Sequence, residues 1–203
     1  MSLAAQAEVK LLELRLARGL KLRVAFAAIG DRIGHAIALA DSTGAATRAL
    51  PLLTSLEASS NDPWPASPPL QSLSLEELAP GRRAALLVGM AGRSHWSASI
   101  EASLEQSAIV FDVACRASQT PARLGSTYRL DCEVEAQPDL NDERQAAVTL
   151  RADDYRLSLI AGPAGEFPPP RLELREGELH INPVVELSGR QTTVRWKYRL
   201  QLF

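Results

Sequence analysis

The sequence predicts an all-β chain: an antiparallel β-sandwich or a partly closed β-barrel of about a dozen short strands with one short helical turn. Three observations lead there. Apolar and polar residues alternate with a period of two along most of the chain. The alternation is cleanest at its end, where Val194, Trp196, Tyr198, Leu200 and Leu202 interleave with Thr193, Arg195, Lys197, Arg199 and Gln201. Turn signals recur at short intervals, as at Gly30-Asp31, Asp41–Gly44, Ala91–Ser94, Asp153-Asp154 and Glu176-Gly177. The only two cysteines sit in matching segments, Ala108–Arg116 and Ser126–Glu135, each with one apolar face.

The N-terminal stretch Ala4–Arg18 is rich in helix formers, but its apolar residues do not gather into one helical stripe. Leu12, Leu14 and Leu16 alternate with Glu13 and Arg15, and Leu20, Leu22, Val24 and Phe26 repeat the pattern. Two strands hinged at Arg18-Gly19 are therefore expected. After Gly30-Asp31, Ile33, Ile37 and Leu39 share a face with His35, and an extended stretch follows from Ala46 to Leu56. The segment Ser59–Gln71 contains Pro63, Pro65, Pro68 and Pro69, so it cannot donate a normal ladder and reads as an ordered polyproline-like loop. Ser74 and Glu77 have capping-box spacing, which predicts a helical turn over Leu75–Ala79 ended by Pro80-Gly81.

Beyond it, Ala84–Met90 and His95–Glu101 flank the turn Ala91–Ser94. Folding the cysteine segments together through Ser118–Gly125 sets Cys115 opposite Cys132, Val113 opposite Val134 and Arg116 opposite Asp131. This predicts a hairpin with two buried, reduced thiols as cross-strand neighbours. Ala146–Arg151 pairs with Tyr155–Ile160, and the Pro-rich loop Gly162–Pro170 precedes a tight hairpin at Glu176-Gly177. The whole is expected to be one all-β domain over residues 1–203, with the Pro-rich segment 59–74 as the sole candidate sub-boundary.

Composition excludes more than it assigns. The 203 residues hold 46% hydrophobic and 23% charged residues with a formal charge of −2, an ordinary globular balance with no general pull toward nucleic acid. Arg195, Lys197 and Arg199 lie on the face opposite Trp196 and Tyr198, whereas a stacking platform needs both on one surface. No apolar run of about 18 residues and no signal peptide is visible, so no membrane partner and a cytoplasmic location are expected. Phe203 is out of phase with Leu200 and Leu202, unlike the end of an outer-membrane barrel. His35, His95 and His180 fall in different strands without metal-ligand spacing, so no metal and no cofactor are expected. Asp112, Asp131, Glu133 and Glu135 share the polar face of the cysteine segments, where charge pairing with Arg116 and Arg129 accounts for them.

The remaining candidates are Trp64 and Phe167, large apolar side chains on stiff Pro-rich loops, with His95 and Trp96 beside the Ala91–Ser94 turn. They point to a non-catalytic binding or protein-interaction module whose partner is a protein, peptide or carbohydrate. The competing reading of Trp64 and Phe167 is that they staple their loops to the core. Two alternatives stand beside the binding module. One is an enzyme or small-ligand carrier with a pocket inside a barrel, using His35 or His95 with a carboxylate. The other is a structural subunit that completes its sheet edges by self-association.

Overall fold

The alternation resolves into fifteen strands in the computed structural model, which describes residues 9–41, 48–58, 61–131, 133–139, 146–185 and 192–203. The first four are β1 (Lys10–Arg15), β2 (Leu20–Ile29), β3 (Arg32–Asp41) and β4 (Arg48–Ser55). Then come β5 (Ser72–Ala79), β6 (Arg82–Ala91), β7 (Ser94–Ser103) and β8 (Ala108–Ala117). Next are β9 (Ser126–Leu130), β10 (Glu135–Asp139), β11 (Ala147–Ala152) and β12 (Tyr155–Gly162). The series closes with β13 (Arg171–Arg175), β14 (Glu178–Asn182) and β15 (Thr192–Leu202). They form two antiparallel sheets, a seven-stranded one ordered β1-β2-β3-β4-β9-β14-β13 and an eight-stranded one ordered β10-β11-β12-β15-β8-β7-β6-β5. The sheets have free edges and do not close, so the architecture is a sandwich and not a barrel. No helix among the described residues is long and apolar enough to cross a membrane.

The core lies between the inner faces. Leu12, Leu14, Leu22, Val24, Phe26 and Leu39 come from the smaller sheet, and Ile100, Phe111, Val113, Leu159, Trp196 and Leu200 from the larger. The N-terminal segment is two strands, as alternation requires, with Leu12 opposite Val24 and Leu14 opposite Leu22. The hinge is a 3-10 turn over Ala17–Gly19, in which Arg18 (φ 57) and Gly19 (φ 72) both take the left-handed conformation.

Two expectations are overturned. The cysteine segments are not a hairpin: β8 belongs to the larger sheet and β9 to the smaller. Cys115 lies opposite Trp96 and Val194, and Val113 opposite Ala98 and Trp196, while Tyr128 of β9 lies opposite Ser55 and Leu179. A period of two reports which side of a strand is buried and says nothing about its neighbour, and strands facing one another across a sandwich satisfy the same pattern as strands in a hairpin. Cys132, and with it the pairing of the two thiols, lies outside the described residues. The helical turn over Leu75–Ala79 is also absent. That stretch is the edge strand β5, paired to β6 from Ser72↔Val88 to Ala79↔Arg82 with a register shift between Glu77 and Ala79. Ser74 Oγ donates to the carboxylate of Glu76 instead of capping a helix. A ready partner strand outweighs a local capping signal.

The Pro-rich segment is built into the fold. The Leu70 carbonyl accepts from Ile33 N at 2.7 Å, and Gln71 N donates to the Val88 carbonyl at 2.9 Å. Buried Ser67 donates through Oγ to the Thr127 carbonyl at 2.9 Å and accepts from Thr127 N at 3.2 Å. Thus a stretch that cannot make a ladder of its own is satisfied by groups of both sheets. Gly89 on β6 makes the crossing possible, because a Cβ there would lie 1.9 Å from the Pro69 carbonyl oxygen and 2.9 Å from Leu70 Cα. We expect Gly89→Ala to lower the unfolding free energy by about 2 kcal/mol, the usual scale of overpacking against backbone. Chemical denaturation would measure it, and an unchanged midpoint would show that the loop does not cross there.

Candidate binding cleft

The site is built on the β6–β7 hairpin. Ala91 pairs with Ser94, leaving the two-residue loop Gly92-Arg93. Gly92 has φ 57 and Arg93 does not have a positive φ, the pattern of a hairpin turn that needs glycine in its first central position. Register then places Met90, His95, Arg116 and Thr193 in one row across β6, β7, β8 and β15. Buried Ser94 ties the turn to the loop after β8: its Oγ accepts from Ser118 N at 3.1 Å and lies 3.3 Å from Ser118 Oγ.

Two adjoining clefts open here. The larger, about 380 Å³, is lined by Met90, Arg93, His95, Arg116 and Ser118, among others. The smaller, about 150 Å³, shares Arg93 and Ser118 and is bounded by Pro63 and Trp64. Among the described residues no carboxylate lines either. Among the described residues neither Arg93 nor His95 has an ion-pair or hydrogen-bond partner. Such a group can grip an anion through charge-assisted hydrogen bonds, the guanidinium forks fitting a carboxylate or phosphate edge.

Behind the cleft stand the chain's three tryptophans. Trp64 packs on Trp96 with ring centroids 6.5 Å apart, and Trp96 meets Trp196 edge-on at 6.2 Å. Trp196 Nε1 donates to Ser126 Oγ at 3.0 Å. Trp64 is only 9% exposed, so it staples its loop to the core instead of presenting a ring to solvent. Of the four candidates drawn from the sequence, Trp64, His95 and Trp96 therefore meet at one end of the sandwich. His95 is exposed there, while the two tryptophans support it from within. Phe167 does not join them. It is half-buried in the β12–β13 loop, bridged to Ala164, and lines neither cleft.

Sequence reasoning missed Arg93 and Arg116. Arg116 was expected opposite Asp131, across a hairpin that does not form. The signal that finds it is the short turn Leu104–Ser107, which folds β7 onto β8 and brings Arg116 opposite His95.

His35, the other candidate acid–base group, is far from this chemistry. It is packed among Phe26, Phe111 and Tyr128, its Nε2 is hydrogen-bonded to Tyr128 OH at 2.8 Å, and Tyr128 OH lies 2.6 Å from Tyr198 OH. Its backbone N–H donates to Ser55 Oγ at 2.8 Å, and Ser55 donates to Glu57 at 2.8 Å. Burial pulls the imidazole from 6.5 down to about 4 and pushes Tyr198 up to about 12 and Tyr128 well above its ordinary value. Burial also raises the Glu57 carboxyl and pushes the Cys115 thiol up to about 12. His35, Tyr128, Tyr198 and Cys115 are held neutral inside the core, and His35 lines neither cleft.

No protein-family model matches this chain, and no curated protein is significantly similar to it.

The His35 shift has a definite sign in stability. Its folded value is depressed, so its contribution is present above pH 6.5 and is lost as pH falls toward 4, by up to about 3 kcal/mol. Glu57 acts oppositely, since its folded value is raised. The difference between wild type and His35→Gln isolates the histidine. We expect the wild-type unfolding free energy to fall relative to the variant between pH 6.5 and 4, and parallel curves would contradict the assignment.

Proposed function

We propose that this chain is a non-catalytic binding module, working in the cytoplasm, that holds an anionic group of a protein or peptide partner in the cleft at the β6–β7 turn. The observation that carries the reading is the lining: Arg93, His95 and Arg116 converge, and among the described residues no carboxylate joins them. This occurs in a chain with 24 acidic and 22 basic residues, so the local charge is not a by-product of composition. The cleft also rests on stiff supports, the Ser94–Ser118 contact and the tryptophan stack, which lower the ordering penalty of binding. Support for a non-catalytic role comes from Ser94, whose hydroxyl is buried and engaged by Ser118, and from the neutral groups sealed in the core. The cytoplasmic placement draws on Cys115, a buried free thiol.

Each exposed arginine–anion contact contributes on the order of 1 kcal/mol and is screened by salt. We therefore expect inorganic pyrophosphate to bind with a dissociation constant near the millimolar range at low ionic strength, weakening several-fold at 0.15 M salt. Calorimetric titration would measure it. Arg93→Gln combined with His95→Gln should weaken binding at least about tenfold with the melting temperature unchanged. Equal binding by the double variant, or no heat with wild type, would refute the reading.

A further inference from the structure

We infer that the partner of this cleft is an extended peptide segment ending in acidic residues, laid along a furrow that leaves the cleft over β7. This rests on the reading of the cleft as an anion site. The outer face of the larger sheet is the second observation. Its outward residues run in rows set by register: Met90, His95 and Arg116, then Val88, Ser97 and Ala114. The rows continue with Leu86, Ser99 and Asp112, then Ala84, Glu101 and Val110. In the middle of β7 the outward side chains are serines, lower than the rows on either side. They floor a furrow of about 510 Å³.

The two walls differ in kind. On the β6 side Leu86, Val88 and Met90 are 41%, 56% and 45% exposed, three large apolar side chains in a row on the same face of one strand. On the other side Asp112 is clasped by Arg195 through two hydrogen bonds of 2.7 and 2.6 Å, with Lys197 beside it. One end of the furrow adjoins the Arg93–His95–Arg116 cleft, since the row Val88, Ser97 and Ala114 that lines the furrow is next along the strands to the row Met90, His95 and Arg116 that lines the cleft. The other end is closed by Glu101, itself paired to Arg82 at 2.9 Å. From His95 to Glu101 is six strand steps, about 20 Å, the span of about six extended residues.

These features choose among ligands. An acyl chain would lay one flank against hydroxyls and charges. A sugar would want an exposed ring to stack on, and among the described residues no aromatic side chain lines the furrow. A nucleic-acid strand would bring its phosphates onto Asp112 and Glu101. An extended peptide matches each surface in turn, because its side chains alternate: apolar ones over Leu86 and Val88, polar ones toward Lys197 and Ser99. The charge order fixes direction, with the acidic C-terminal end at Arg93, His95 and Arg116 and the N-terminal end near Glu101.

The test is fluorescence anisotropy with the intact chain. The probe is an N-terminally labelled heptapeptide of alternating leucine and serine that ends in two glutamates and a free carboxylate. A second peptide carries glutamines and a C-terminal amide, and unlabelled pyrophosphate serves as competitor. We expect the acidic peptide to bind at least tenfold more tightly than pyrophosphate and the amidated one at least tenfold more weakly. Val88→Asn and, separately, Ser97→Tyr, neither of which changes the charge, should each weaken the peptide at least tenfold while leaving pyrophosphate unchanged. Both positions are solvent-facing, and the unchanged pyrophosphate affinity itself reports an intact fold. If pyrophosphate binds but the peptide binds no better, or neither furrow variant weakens it, the peptide assignment falls and the anion cleft stands. If neither pyrophosphate nor peptide binds, the cleft reading falls and takes this inference with it. A dimer in sedimentation that Val88→Asn dissociates would instead assign the face to a second copy of the chain.

Discussion

Buried side-chain hydrogen bonds cross between the sheets from β15 to β9, and the geometry of the sandwich depends on them. Trp196 on β15 donates to Ser126 on β9, and the hydroxyls of Tyr128 on β9 and Tyr198 on β15 meet at 2.6 Å. Apolar burial drives the sheets together but is non-directional, and an aliphatic interface tolerates sliding. A buried indole N–H or phenol does not, because losing its partner inside the core costs about 1–3 kcal/mol. Placing both bonds on the same two strands pins β9 against β15. Tyr198 stacks on Phe111 with ring centroids 4.8 Å apart, which extends the constraint to β8.

The cleft inherits its rigidity from that contact. Trp196, held by Ser126, supports Trp96, and Trp96 supports Trp64 and the Pro-rich loop above it. Ser67 reaches from the same loop to the backbone of Thr127, next to Ser126, so the loop is anchored to the strand that carries the inter-sheet bond. The exposed residues are carried on this frame by short connections. Arg93 sits on a two-residue turn, and His95 and Arg116 are cross-strand neighbours. A binding group so placed loses little freedom on meeting a ligand, which is the physical advantage of a site on strands over one on a long loop.

What could be read in the sequence was the side of each strand that faces the core. Leu12, Leu14, Leu22 and Val24 turn inward as alternation requires, and so do Phe111, Val113 and Cys115. What could not be read was adjacency. β8 and β9 each have one apolar face, and that holds equally whether they pair or face one another across the core. The strand β5 was hidden for the converse reason: Ser74 and Glu77 form a local helix signal, and only the non-local ladder with β6 overrides it. The site was half visible for the same cause. Trp64, His95 and Trp96 stand out by residue type, but Arg93 and Arg116 join them only through the β6–β7 and β7–β8 registers. Even the role of Trp64 depended on a non-local fact, that Trp96 lies beneath it.

Charge balance explains how a chain of net charge −2 keeps a cationic cleft. On the outer face of the larger sheet the two carboxylates nearest the furrow are locally cancelled, Asp112 by Arg195 and Glu101 by Arg82. At physiological salt the field of a surface charge decays over about 8 Å, so a net charge spread over the molecule is felt little at any one point. What a ligand meets at the β6–β7 turn is the local field of Arg93, with the His95 ring and Arg116 beside it and Asp112 more than one strand step away and already engaged by Arg195. Leu86 and Val88 are bordered by serines on β7, Ser99 and Ser97, and Met90 by His95 at the mouth of the cleft. Cation at one end and apolar wall alongside arise from one arrangement, in which Asp112 on β8 is engaged by Arg195 on β15 while Arg93 at the turn has no partner among the described residues.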